Sequence, residues 1–541
     1  MVVEHLEKIQ APLSYSWGVV GHLMGVKNSD ELRVAHDECQ PSVIEVMQEL
    51  GQSQNLFQSL SALKSKDAAW STLDESQQRI ISSSIRKMEA LGVGLNDEEK
   101  EAFNKLQLEQ AELTTKFSNN VLDATKAFKL TIENKEEVEG LPASAIEYAS
   151  KQAVGNGHPD STPELGPWTF TLDMPSYLPC MQYLKSRRIR KILYTQFITR
   201  ASTGDKNNAP IIARILQIKK LTSKMLGYDS YAEKSLKAKM ALNIESVMKL
   251  TEMLREKALP VAKVEMIELE DFAMKNGFLE NLRAENAKSV TPGDEDEKFT
   301  LWDVTYWSEK MREKKYEFEE ESLRAYFPLT KVLGGLFTLS ERLFGVRVEE
   351  MKYEESGSEV QKWCPDVMYF KITDIESNEH IANFFLDPYS RPAEKRGGAW
   401  MDVCVGKSQV LDKKPVAYLV CNMSPPVGEK PSLMTFREVE TLFHEFGHGT
   451  YSPIIDMSAL YIFYDINSTL LVVCLFCLTF FLFVIPLLSA MPKQFSYSKF
   501  NFCDLISILR LILITYLSHF LILYPLLFVD LYLSIHLSFS P

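Results

Sequence analysis

The residues best fitted for chemistry in this chain are His444, Glu445 and His448, within the run TLFHEFGHG. Histidines four positions apart in a helix project from one face, so both imidazoles can reach a single metal ion. Glu445 stands beside the first of them, where a carboxylate can take a proton from metal-bound water and later hand it to a leaving amine. Zinc suits such a site because it lowers the pKa of bound water to about 7 and polarises a carbonyl. The H-E-x-x-H pattern therefore points to one Zn2+ held by His444 and His448, with Glu445 as general base. The plain alternative is a pair of solvated histidines on a surface helix, and the context argues against it. Thr435 followed by Glu438 predicts a capping box, opening a helix through Val439, Leu442, Phe443 and Phe446. Gly447 and Gly449 leave room beside an ion.

Such a helix needs a scaffold, and the upstream sequence reads as mainly helical. Over 96–130, Leu106, Leu108, Leu113 and Phe117 recur at the three-and-four spacing of an amphipathic helix among Glu, Lys and Gln. Similar patterns predict helices near 40–65, 75–92, 208–225, 243–276 and 304–315. The Gly- and Pro-bearing run VGNGHPDSTPELGPW breaks the helices, and WTFTLDM after it reads as a strand. The polar, acidic run SVTPGDEDEKFTLWD reads as an exposed loop. VMYFKITD, HIANFFLD and PVAYLVCN, rich in Val, Ile, Phe and Tyr and separated by turn formers, predict a small sheet just before the motif. The expected organisation is a helical region at 1–153, a helical and small-sheet region at 154–449, and a distinct tail at 450–541.

Composition excludes several classes. With 541 residues, 45% hydrophobic and 24% charged, the chain can bury a large core. A net charge of -13 argues against gripping nucleic acid through a general basic surface. Eight scattered cysteines form no disulfide framework, which fits a reducing compartment. The first residues, MVVEHLEKIQAPLSYSW, carry neither a signal-peptide apolar run nor transit-peptide character, so the sequence is expected to act in the cytoplasm. A longer form could be directed to a mitochondrion or chloroplast.

Two long stretches carry a resemblance. The runs FFLDPYSRPAEKRGGAWMDVCVG and KPVAYLVCNMSPPVGEKPSLMTFREVETLFHEFGHG resemble the oligopeptidase A branch of the thimet oligopeptidase family of zinc metallopeptidases. TFTLDMPSYLPCM, LGYDSYAEKSLKAKMA and YFPLTKVLGGLF are similar to the same family, so the likeness runs from near the N-terminus to Gly449. It implies a mainly α, two-lobed, zincin-like molecule with a small sheet near a deep channel, where short peptides are the substrates. It also implies His444 and His448 as zinc ligands and Glu445 as general base. The strand-like run 415–422 is expected either to offer its edge to an extended peptide or to lie inside the sheet.

The likeness stops at Gly449. Family members continue with a helix bearing a glutamate as third zinc ligand, followed by a segment supplying Tyr and His near the substrate carbonyl. Here no Glu follows Glu445. Asp456 and Asp465 are the nearby carboxylates, and neither lies in a run resembling that ligand helix. The expectation is a truncated catalytic lobe and an impaired enzyme; the alternative is a non-catalytic product that binds peptides or associates with a membrane. From Met457 to Pro541 the charged residues are only Asp465, Asp504, Asp530, Lys493, Lys499 and Arg510, yet the same stretch holds eleven of the 30 phenylalanines. Within it, 466–491 and 505–529 have the length and hydropathy of membrane spans. Translation of T-rich non-coding sequence gives the same residue set, and is the preferred reading. The lone C-x-x-C of Cys474 and Cys477, and the isolated His519 and His536, read as accidental. With later family helices missing, the apolar side of the motif helix is expected to be partly uncovered or covered only by tail residues. Oligomeric state leaves no mark in the sequence.

Overall fold

Helices form here where three-and-four apolar spacing is closed off by a cap. Asn96 accepts a hydrogen bond from the Glu99 amide while Glu99 accepts one from the Asn96 amide, starting the helix expected over 96–130. Ser53 caps a new helix two residues after Gly51 ends the preceding one, so the single helix expected over 40–65 is in fact two. This computed structural model describes residues 2–241, 243–288, 298–317, 320–351, 361–426 and 431–454. The expected membrane spans at 466–491 and 505–529, like most of the loop 289–303, fall outside them. Among the described residues no helix is long and apolar enough to cross a membrane.

The chain begins with α1 (Val2–Val26), α2 (Asp30–Gly51), α3 (Gln54–Ser65), α4 (Asp67–Trp70), α5 (Glu75–Ala90) and α6 (Asp97–Ala127). A two-stranded antiparallel ribbon of β1 (Leu130–Ile132) and β2 (Trp168–Phe170) brackets α7 (Ala143–Gly155). Then follow α8 (Met174–Tyr183), α9 (Arg187–Ile198), α10 (Ala209–Met225), α11 (Tyr231–Leu236) and α12 (Ile244–Lys275). After α13 (Phe278–Lys288) come α14 (Leu301–Tyr316), α15 (Glu320–Leu323) and α16 (Leu329–Phe344). The mainly α class with a small sheet is as expected.

That sheet comprises β3 (Val346–Glu350), β4 (Met368–Asp374), β5 (His380–Tyr389), β6 (Trp400–Val405) and β7 (Val416–Met423), in spatial order β3-β4-β5-β7-β6. β5 and β7 run parallel and the other pairs antiparallel. The run 415–422 is therefore an interior strand, and β3 and β6 are the outer ones. Alternation along β5 sends Phe384 and Phe385 to opposite faces. Phe384 stacks on Phe370 and meets Phe446 edge-on, on the face covered by α16 and the motif helix. Phe385 packs with Tyr418, Val420 and Val26 on the other, where α1 lies. With both faces covered, β5 is buried over most of its length, which suits Ala382, Phe384, Phe385 and Leu386 at consecutive or near-consecutive positions on both faces.

Candidate active site

The motif lies on α17 (Phe436–Ile454), and its start is fixed twice. Thr435 Oγ1 accepts from the Glu438 amide at 3.1 Å, and Glu438 Oε2 accepts from the Thr435 amide at 2.7 Å. This is the expected capping box. The second oxygen of Glu438 accepts from the Ser424 amide at 2.9 Å, just past the end of β7. One carboxylate thus caps the helix and ties it to the sheet, setting where the following turns sit over β7.

The helix divides its faces sharply. Val439, Leu442, Phe443 and Phe446 are buried, with Phe446 against Phe337 and Phe384. An uncovered apolar side is therefore not what the structure shows: α16 and the sheet cover Phe446, and the other expected cover, the tail, lies outside the described residues. An exposed apolar surface is found instead on α12, where Met248, Val261, Val264 and Ile267 are each more than half exposed.

On the other face, the His444 and His448 rings stand nearly perpendicular, with Nε2 atoms 3.1 Å apart. Two nitrogens on one tetrahedral zinc at about 2.0–2.1 Å would be separated by roughly 3.3 Å, so the pair has the spacing that a shared ion requires. Without an ion, one ring N–H donates to the other ring's bare nitrogen. Desolvation lowers the pKa of both imidazoles, and His444 lowers that of His448 further, so both favour the neutral form that can ligate. Glu445 is only 7% exposed. Burial pushes its carboxyl up to about 7.

The structure therefore brings together all three motif residues. Among the described residues no group of three or more His, Cys, Asp or Glu side chains is placed to hold a metal. Asp456, Asp465, His519, His536, Cys474 and Cys477 lie outside the described residues.

A supporting cluster escaped the sequence reading. Asp387, fully buried near the end of β5, accepts from Arg391 Nη1 at 2.7 Å, Trp363 Nε1 at 2.8 Å and Lys395 Nζ at 2.8 Å. The Lys395 ammonium, equally buried, also donates to the carbonyls of Asp387, Tyr389 and Cys421. It thus pins the end of β5 to β7 directly beneath the motif helix. Cys421 is buried near Glu445, and the lack of water chiefly, helped by that carboxylate's charge, pushes its thiol pKa up. The only sequence signal was Asp, Arg and Lys at intervals of four in DPYSRPAEK, a spacing without meaning outside a helix.

Comparison with known proteins places the chain in a family. Residues 180–453 match peptidase family M3, and residues 1–100 match the neurolysin/thimet oligopeptidase N-terminal domain. The chain is 44% identical over 454 residues to an organellar oligopeptidase A (chloroplastic/mitochondrial) of Arabidopsis thaliana, covering 83% of this chain and 54% of that protein. It is 43% identical to a probable cytosolic oligopeptidase A of the same plant, with 83% and 62% covered. Against oligopeptidase A of Escherichia coli the identity is 36%, with 82% and 62% covered. The chain thus spans 54–62% of the length of these relatives.

Proposed function

The chain belongs to peptidase family M3, and from that premise we propose a zinc-dependent metalloendopeptidase of the oligopeptidase A type, acting on short peptides through α17. The observation that carries this reading is the convergence of His444 Nε2 and His448 Nε2 on the same helix as the buried carboxyl of Glu445. The two imidazoles would hold one Zn2+, which when bound supplies a polarised carbonyl and an acidified water. Glu445 does the proton work: its desolvated carboxyl binds a proton more tightly than an ordinary one, so near neutrality it can accept a proton and return it to the leaving amine. Glu438 keeps these side chains at a fixed height over β7. Of the two edge strands, β6, which lies next to β7, would offer its outer side to an extended peptide.

Two nitrogen ligands fix zinc poorly, since structural and catalytic sites hold it with at least three protein ligands. We therefore read this chain as an impaired member of its family. It would take up zinc weakly and cleave slowly. The second reading, a non-catalytic chain that only binds peptides, draws on the same two-ligand geometry among the described residues. Glu445→Gln separates them. The impaired-enzyme reading expects cleavage of a quenched fluorescent peptide to fall at least a hundredfold, about the scale of one general acid-base group, with zinc uptake retained. Cleavage unchanged by the substitution would move the active site elsewhere, and no cleavage by the parent chain at any zinc concentration would leave only the peptide-binding reading.

A further inference from the structure

A cavity of about 300 Å³ lies between α6, the start of α8, the end of α9 and the loop 390–398. Its apolar wall comes from Phe117, Val121, Leu122, Leu172 and Phe197. Arg200 stands in it just beyond α9, with its guanidinium suspended between two other wall residues. Nε donates to the Phe197 carbonyl at 2.8 Å, Nη1 reaches Thr125 Oγ1 at 3.4 Å, and the group lies over the Phe197 ring at 3.8 Å. No carboxylate among the described residues pairs with it. Asp173, the carboxyl in the wall, is engaged by Tyr148 and Thr171, and Lys395 is neutralised by Asp387. A partly desolvated cation without a counter-ion is an unfavourable arrangement for a chain folded by itself.

The opposite wall contains Gly397 and Gly398, held in place by Asn422, which donates to the carbonyls of Arg396 and Gly398. Gly398 needs to be glycine, because its φ is +96°. Gly397 has no such conformational need, and a Cβ added there would meet no atom within 4 Å. Among the described residues the space beside Gly397 is open, so a ligand can come close to the backbone there. Asn422 directly follows Cys421, which lies beside Glu445, so the cavity borders the strand beneath the motif helix.

We propose that this cavity binds the C-terminal carboxylate of a short peptide, with Arg200 receiving the carboxylate, the apolar wall taking the terminal side chain and Gly397 admitting the peptide backbone. This rests on the reading of the chain as one that handles peptides, but not on zinc or on catalysis. The test measures binding of the full 541-residue chain under chelator, by fluorescence anisotropy. The probe is N-terminally fluorescein-labelled Ala-Ala-Ala-Leu, used as the free acid and as the C-terminal amide. The acid should bind about tenfold more tightly than the amide, the scale of one charge-assisted pair. Arg200→Gln should erase that ratio, while Arg200→Lys, which keeps the charge without the fork, should retain part of it. Gly397→Val should weaken acid and amide together without lowering the melting temperature. Equal binding of acid and amide by the parent chain would overturn the proposal, as would an unchanged ratio in a natively folded Arg200→Gln variant. Displacement of the peptide by an equal concentration of acetate would overturn the assignment to a peptide terminus. Cleavage that depends on Glu445 but shows no acid preference would sink this proposal alone, and an acid preference without Glu445-dependent cleavage would sink only the catalytic reading.

Discussion

Replacing Lys395 with Met should destabilise the fold by about 3 kcal/mol, because it breaks a buried ion pair from one side. The ammonium's three N–H groups are shared among four oxygens, at 3.1 Å to the Asp387 carbonyl, 2.8 Å to Asp387 Oδ1, 2.8 Å to the Tyr389 carbonyl and 2.6 Å to the Cys421 carbonyl. Methionine fills similar space but satisfies none of them. Each buried acceptor left without a donor costs about 1–3 kcal/mol, and a buried pair broken by removal of one partner costs about 3–5 kcal/mol. Arg391 and Trp363 still bond the Asp387 carboxylate, which places the expected loss at the lower end of that range. Urea unfolding followed by far-UV circular dichroism gives the number from the midpoint shift at unchanged slope. Adding Asp387→Asn to the Lys395→Met variant should cost less than the sum of the two single changes, since each already strands the other's charge. A loss below about 1 kcal/mol for Lys395→Met, or simple additivity in the pair, would refute the view that this cluster pins β5 to β7.

Other outcomes follow from the same structure. His22 is buried, stacked on Tyr418 at 3.6 Å, and burial chiefly lowers its pKa to about 4, with Asp387 opposing and Lys395 assisting. The unfolded chain therefore binds this proton first as pH falls through about 6.5, and the native state loses stability until the folded pKa is reached. Between about pH 7.5 and about pH 5 this residue should contribute roughly 2 kcal/mol of loss, and His22→Phe should flatten the acid limb of a urea-midpoint profile by that amount. Glu438→Ala removes both the cap and the tie to Ser424, so it should cost about 1–3 kcal/mol in the same assay, more than Thr435→Ala, which removes the cap alone. Phe446→Ala empties a site enclosed by Phe337 and Phe384 and should cost about 3–5 kcal/mol. Replacing Val261, Val264 and Ile267 on the exposed side of α12 by Lys should reduce light scattering of concentrated protein while leaving the urea midpoint within about 0.5 kcal/mol.

The sequence made the motif and the long helices legible because both are local. His444, Glu445 and His448 are fixed by spacing on one helix, and Thr435 with Glu438 announces its start. The helices at 75–92, 208–225 and 243–276 appear within a few residues of their expected bounds, since apolar periodicity and caps lie within each segment. What depends on distant partners was less visible. Strand 415–422 could not be placed inside or at the rim of the sheet, because its parallel pairing with β5 depends on a crossover that no local pattern encodes. The outer strand β6 was missed, as WMDVCV mixes Asp402 and Cys404 into a run of six residues. The split between α2 and α3 was readable from Gly51 and Ser53 and was overlooked. Asp387, Arg391 and Lys395 look like a solvated turn in sequence, and only the packed end of β5 makes them a buried cluster.

Zinc affinity tests the central claim most directly. Competition with a chromogenic chelator, on the parent chain and on His444→Ala, His448→Ala and the double variant, reads out whether the two imidazoles share one ion. The account predicts a single weak site that either substitution removes, with the double variant no worse than the singles. Zinc bound equally well by the double variant would contradict it.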